Sequence, residues 1–255
     1  MHLIDTHAHL YLEQFDNDLD EIMTRAAESE VERILLPNID SSTTQRLWKT
    51  IDAYPTRCFP MMGIHPCSVN ETIESELKHI ESELGTGKYI AVGEIGIDLY
   101  WDKTFIKEQI AAFEQQMEWA KELKLPVAIH CRDSFDEIFA SVEKVQDGSL
   151  TGVLHCFTGN AEQANRTIEL GLHIGLGGVL TFKNSGVDKA VQDVPLDWIV
   201  LETDAPYLAP TPFRGKRNES SYTKLVAEKL ADVKQLPVEE IAKATTANAE
   251  RLFNL

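Results

Sequence analysis

Hydrophobic positions along the chain follow two alternating rhythms. Short apolar runs rich in Val, Ile and Leu read as strands covered on both faces. They are the start through His7, Arg33–Pro37, Phe59–Ile64, Tyr89–Glu94, Pro126–His130, Gly152–His155, His173–Gly177 and Trp198–Thr203. Between them apolar residues recur at helical spacing. Asp18–Glu30 carries Leu19, Ile22, Met23 and Ala26 on one face. Ser41–Ala53 follows, with Ser41 or Ser42 as the expected cap. Glu71–Leu84 ends at Gly85 and Gly87. Thr104–Leu123 is the longest, and Ser134–Val145, Ala161–Leu170 and Ser185–Gln192 come next. Ser221–Lys234 and Val238–Phe253 complete the set, with Pro237 pre-setting the start of the last.

Strand–helix alternation repeated eight times predicts an α/β fold of the (β/α)8 TIM type. A doubly wound open sheet is the alternative. The chain's 255 residues match the roughly 250 of a single barrel. Without a linker or a fixed-period repeat, residues 1–255 are expected to form one domain.

Candidate chemistry gathers where such barrels keep their active sites, at the C-terminal ends of the strands. In Asp5-Thr6-His7-Ala8-His9 the two imidazoles share one side of an extended chain. Glu94 is expected to end the fourth strand, His130 the fifth, His155 the sixth and Asp204 the eighth. Four histidines and two carboxylates exceed what one zinc with an open position takes. The set suits two divalent ions sharing a bridging carboxylate. Imidazole with carboxylate favours zinc, manganese, cobalt or iron over calcium. Such a pair activates a water and neutralises charge on a phosphate or carbonyl oxygen. Glu94 is the expected bridge, because its strand lies between those carrying the two histidine pairs. Asp204 is expected to bind metal and hold or deprotonate the nucleophilic water.

Composition narrows the partners. With 24 basic and 41 acidic residues the net charge is −17, which disfavours a general electrostatic grip on nucleic acid. It leaves room for a local basic cleft. Pro212-Phe213-Arg214-Gly215-Lys216-Arg217-Asn218, after the eighth strand, is the basic cluster nearest the expected mouth. Arg214 and Arg217 are candidate phosphate contacts, and Arg132 adds a bidentate one. The plain alternative is a solvated basic loop. No apolar run approaches the roughly 20 residues of a membrane span, and the N-terminus lacks signal-peptide character. Cys58, Cys67, Cys131 and Cys156 form no paired motif and read as free thiols in a cytoplasmic protein.

A run of motifs then carries a resemblance. His7-Ala8-His9, Gly63-Ile64-His65-Pro66, Gly93-Glu94-Ile95-Gly96-Ile97-Asp98, Ile129-His130-Cys131-Arg132, His155-Cys156-Phe157-Thr158-Gly159, Gly175-Leu176-Gly177-Gly178 and Glu202-Thr203-Asp204-Ala205-Pro206-Tyr207-Leu208 occur in this order. Together they resemble the TatD-type metal-dependent deoxyribonucleases, an amidohydrolase-like barrel family, over essentially the whole chain. The resemblance implies two divalent ions (zinc, magnesium or manganese) and hydrolysis of DNA, commonly from the 3′ end; a single strand is the expected form, because it can enter a barrel mouth without duplex opening. It places metal ligands on His7, His9, Glu94, His130, His155 and Asp204, and a substrate-side histidine on His65. Glu202, two residues before Asp204, shares its inward face. It is expected to orient water or a ligand, with a structural ion pair as the alternative. No obligate protein partner is implied. Leu99 before Tyr100 and Ser220 after Glu219 depart from the family pattern, which bears on substrate choice and on a turn. A binuclear hydrolase of a small ester, lactone or amide is the rival activity. A metal-binding or interaction protein on a dead barrel is the non-enzymatic one.

Overall fold

The computed structural model describes residues 2–255; Met1, the first residue of the expected opening strand, lies outside them. Among the described residues there are eight strands: β1 (Leu3–Asp5), β2 (Val31–Pro37), β3 (Cys58–Met62), β4 (Ala91–Asp98), β5 (Val127–Arg132), β6 (Gly152–Leu154), β7 (Leu172–Leu176) and β8 (Ile199–Leu201). Each pairs in parallel with the next in sequence. The intervening and final helices are α1 (Leu19–Glu28), α2 (Thr44–Ala53), α3 (Ile73–Leu84), α4 (Ile106–Leu123), α5 (Phe135–Val145), α6 (Ala161–Glu169), α7 (Val187–Ala190), α8 (Thr223–Lys234) and α9 (Val238–Phe253).

The fold is the (β/α)8 barrel. Its seam is made just past the ends of β1 and β8. The Thr6 amide donates to Leu201 O (3.0 Å), Asp204 N to His7 O (2.8 Å) and His9 N to Ala205 O (2.7 Å). Buried Asp5 reinforces it by accepting the Thr203 amide (2.9 Å) and hydroxyl (2.6 Å). The seam therefore fixes the backbone of His7, His9 and Asp204 against one another.

Period-2 alternation separates two apolar layers. Ile4, Leu35, Met61, Ala91, Ala128, Val153 and Val200 point into the barrel, which Ala249 and Phe253 of α9 plug from below. Their strand neighbours, such as Leu36, Met62, Ile129, Leu154 and Leu201, face the surrounding helices. Continuing the inward parity up β5 and β6 reaches His130 and His155, and up β8 Glu202. In β4 it would miss Glu94, because Ala91 and Glu94 lie three residues apart. The ladder with β5 slips between Val92 and Ile95. That irregularity reverses the parity, so Glu94, Gly96 and Asp98 turn inward while Ile95 and Ile97 join the outer layer.

Four expectations are corrected here. Strand β4 does not stop at Glu94 but continues through Asp98, and β5 continues through Arg132. Gly96 permits this close pairing: its φ is +143°, and a Cβ there would lie 2.0 Å from His130 O. The helix expected over Ser185–Gln192 is a single turn, Val187–Ala190. Neither Ser41 nor Ser42 caps α2; their hydroxyls bond Glu76 and Asp40 instead.

Candidate metal centre

Glu94 is buried at the centre of the mouth, and each of its carboxylate oxygens faces a different group of histidines. Oε2 lies 3.1 Å from His7 Nε2 and 3.4 Å from His9 Nε2. Oε1 lies 2.8 Å from His155 Nε2, 3.0 Å from His130 Nδ1 and 3.3 Å from His65 Nε2. Asp204 Oδ1 closes the first group, 3.6 Å from His9 Nε2 and 4.0 Å from His7 Nε2. The His7 and His155 rings stack at 3.8 Å and join the halves. His7, His9, Glu94, His155 and Glu202 are buried, whereas the side chains of His65, His130 and Asp204 are 16%, 15% and 14% exposed. Those three mark the open side.

Hydrogen bonds behind the rings set their tautomers. The Tyr11 hydroxyl donates to Pro37 O (2.5 Å), so it accepts from His9 Nδ1 (3.0 Å). With Nδ1 donating to Tyr11, Nε2 is the His9 nitrogen left to face two carboxylate oxygens. His130 stands between two carboxylates, Nε2 2.9 Å from Asp98 and Nδ1 3.0 Å from Glu94; against burial, they raise its pKa above the ordinary imidazole value. A cation taking the place of the Nδ1 proton would leave Nε2–H donating to Asp98. Lone pairs set against carboxylates need a proton or a cation between them. His65 is oriented the other way. Its Nδ1 accepts the Cys67 amide (3.0 Å), so Nε2 carries the proton and is a donor.

Electrostatics agree. Burial alone would neutralise Glu94, but His65, His155 and His7 hold it well below the usual carboxylate range. Burial opposes charge on His155 too, yet Glu94 and Glu202 hold it well above the ordinary imidazole value. Burial, with His155 beside it, keeps His7 well below. Burial lifts Asp204 to about 6 against the pull of His155 and His9. Nitrogen and carboxylate donors lie within 4.8 Å of one another in three overlapping sets: His7–His9–Glu94, His7–His155–Asp204 and His65–Glu94–His130. This donor set fits divalent transition-metal ions.

Glu202 does not reach the centre. It is fully buried behind His155, with Oε1 3.4 Å from His155 Nδ1 and accepting the Cys156 amide at 2.5 Å. Gly175 makes room for it, since a Cβ there would meet Glu202 Oε2 at 2.5 Å. Arg132 is exposed on β5, its guanidinium 3.9 Å above the Tyr100 ring. Arg214 lies 4.0 Å above Phe182. Arg217 is committed elsewhere: it donates to both oxygens of Asp18 (2.9 and 2.5 Å) and to Gln14 O (2.5 Å). Its charge fastens loop 205–219 to the start of α1 and is not free for a phosphate.

Two supporting residues had no assigned role in the sequence reading. Asp98 holds His130 and accepts the Tyr100 and Trp101 amides (3.0 and 3.2 Å). Tyr11 orients His9. Asp98 had a readable signal, because Glu94, Gly96 and Asp98 share one face of a strand.

The family model described as "TatD related DNase" matches residues 4–254. The chain belongs to the TatD family. That places it among metal-dependent hydrolases, in a fold shared with solved members. An uncharacterized metal-dependent hydrolase of Bacillus subtilis, YabD, is 41% identical over 99% of this chain and 99% of its own length. A Citrobacter rodentium protein named 3′-5′ ssDNA/RNA exonuclease TatD is 31% identical, covering 99% of this chain and 98% of its own. The crystal structure of the Escherichia coli TatD homologue YjjV superposes with a TM-score of 0.93 at 30% identity, covering 99% and 98% of the two chains. No helix among the described residues is long and apolar enough to cross a membrane.

Proposed function

We propose that this TatD-family chain is a phosphodiesterase of single-stranded DNA that works with two divalent metal ions and trims from the 3′ end. The observation that carries the reading is the division of labour at Glu94, one oxygen toward His7 and His9 and the other toward His130 and His155. His7, His9 and Asp204 would hold one ion and His130 and His155 the other, with Glu94 shared. Zinc and manganese match these donors, and magnesium is the further candidate. Ions bound there supply Lewis acidity, lowering the pKa of water and offsetting phosphate charge.

The chain's own groups do the remainder. His65 presents an Nε2–H on the open side and donates to a non-bridging phosphate oxygen. Asp204, also on the open side, takes the proton of the attacking water at its carboxylate. Asp98 and Tyr11 keep His130 and His9 in the tautomers that leave lone pairs toward the centre. Glu202 positions His155 from behind. Arg132 and Arg214 are the cations available to flanking phosphates. The name of the Citrobacter rodentium relative supports a single-stranded nucleic acid and a 3′ start.

The test is metal content measured together with cleavage of 3′-labelled and 5′-labelled single-stranded DNA. Two ions per chain and stepwise loss from the 3′ end are expected. An intact oligonucleotide under varied metals refutes the reading. With Arg217 held by Asp18 and a net charge of −17, few cations remain for a polyanion, which favours a small ester, lactone or amide as the rival substrate. Salt separates the two, since cleavage of DNA weakens as ionic strength rises and that of a small neutral ester does not.

A further inference from the structure

Large apolar side chains are rarely left in water without a reason when they cluster. Among the described residues the exposed ones are Tyr100, Trp101, Leu123, Tyr207 and Leu208. Four of these sit on the loops that follow β4 and β8 at the barrel mouth, and only Leu123 is elsewhere. Trp101 is the most open, at 69%.

The Tyr100–Trp101 step is built rather than loose. Both amides donate to Asp98 Oδ1, while Asp98 Oδ2 holds His130. One buried carboxylate thus ties the rim loop and a ring of the metal centre together. The two aromatic rings meet edge to face at 4.8 Å. Arg132 lies opposite Asp98 in the β4–β5 ladder and two residues beyond His130. Its guanidinium covers Tyr100 at 3.9 Å and lies 5.2 Å from Trp101. Arg132 has no carboxylate partner among the described ion pairs and is exposed, next to these rings. The arrangement is a flat aromatic face beside a pre-ordered cation, at a fixed offset from the centre.

We infer that Trp101 is a stacking platform for a nucleobase flanking the scissile phosphate, with Arg132, held by Tyr100, contacting the adjoining phosphate. The inference rests on the DNA reading above and deepens it by naming a substrate subsite. Aromatic faces stack on any base, so the subsite is tolerant of sequence. It selects single strands, because paired bases hide their faces in the stack.

The test compares an oligothymidylate with an abasic deoxyribose-phosphate oligomer of the same length, using the metal-loaded enzyme. Trp101→Ala is expected to raise KM for oligothymidylate roughly five- to hundredfold, the range that base–aromatic stacking commands. KM for the abasic oligomer stays at the wild-type value. Trp101→Phe recovers much of the loss. Arg132→Met raises KM for both substrates, because phosphates are common to them. Equal damage to both substrates by Trp101→Ala means that the residue only shapes the loop, and overturns the inference. So does wild-type KM on oligothymidylate. If the wild-type enzyme cleaves neither oligomer, the DNA reading itself fails and the subsite goes with it. If the wild type cleaves both but Trp101→Ala makes no distinction, the DNA reading stands and the subsite alone is lost.

Discussion

Replacing Asp98 by Asn exchanges one carboxylate oxygen for an amide NH2 and should disable one half of the proposed two-ion centre. The Asp98 carboxyl is buried, yet it is held well below the usual range by His130 and by the Trp101 and Tyr100 amides. Those two amides can only donate, at 3.2 and 3.0 Å, so they keep the Asn oxygen. The Asn NH2 is then left 2.9 Å from His130 Nε2. Two opposed donors disfavour the Nε2–H form that frees Nδ1 for an ion, so the proton stays at Nδ1, which faces Glu94 Oε1 3.0 Å away. The lone pair offered to the ion is gone. Losing the residue that orients a metal-ligating histidine typically costs about 10- to 100-fold in affinity, or roughly 1.4–2.8 kcal/mol. Titrating metal-free protein calorimetrically with zinc or manganese reads this directly. Two classes of site are expected, one weakened by that amount and one, at His7 and His9, unchanged. Affinities within about twofold of wild type at both sites would show that the tautomer argument is wrong.

Other changes probe the same logic. Tyr11→Phe strands the His9 Nδ1 proton and the Pro37 carbonyl, and should cost about 1–3 kcal/mol in chemical denaturation while weakening the first half-site about 10-fold; unchanged stability and affinity would refute the assigned relay. Gly175→Ala puts a methyl 2.5 Å from Glu202 Oε2, and overpacking of about 1–3 kcal/mol should lower the melting temperature; a wild-type melt would show that Glu202 shifts freely. Glu219 gives a pH-dependent case. Burial opposes its charge, but Arg25 at 2.7 Å and Ser221 outweigh this and hold its pKa below the ordinary 4.5. A depressed carboxyl stabilises the fold above 4.5 and loses that contribution as pH falls through its lowered value. Arg25 is 42% exposed, which screens the pair. Arg25→Met should therefore cost about 1–2 kcal/mol at neutral pH. The gap from wild type should narrow in acid, and a gap independent of pH would contradict the assignment.

Legibility in the sequence followed the range of the interaction involved. The barrel was readable because strands covered on both faces and amphipathic helices carry local patterns, and Val238–Phe253 was read to the residue. Glu94 looked like a strand end because a carboxylate directly after a glycine interrupts an apolar run. In the folded chain the run resumes through Ile95 and Ile97, and only the register slip against β5 reveals that the carboxylate faces inward. The convergence of His7, His9, His130, His155 and Asp204 on Glu94 could be expected from strand ends alone. Arg217 could not be placed that way: three cations in four residues suggest a clamp, but its partner Asp18 is remote in sequence and meets it only after the barrel closes. Tyr11 was hidden for a similar reason. Its hydroxyl acts through Pro37 on the next strand, and local periodicity reports only that the ring is buried.

The central claim is that Glu94 divides a two-ion centre. Anomalous diffraction from crystals equilibrated with manganese or zinc tests it most directly. The account predicts two peaks on opposite sides of the Glu94 carboxylate, one beside His7 and His9 and the other beside His130 and His155. A single peak, or none between those histidines, would contradict it.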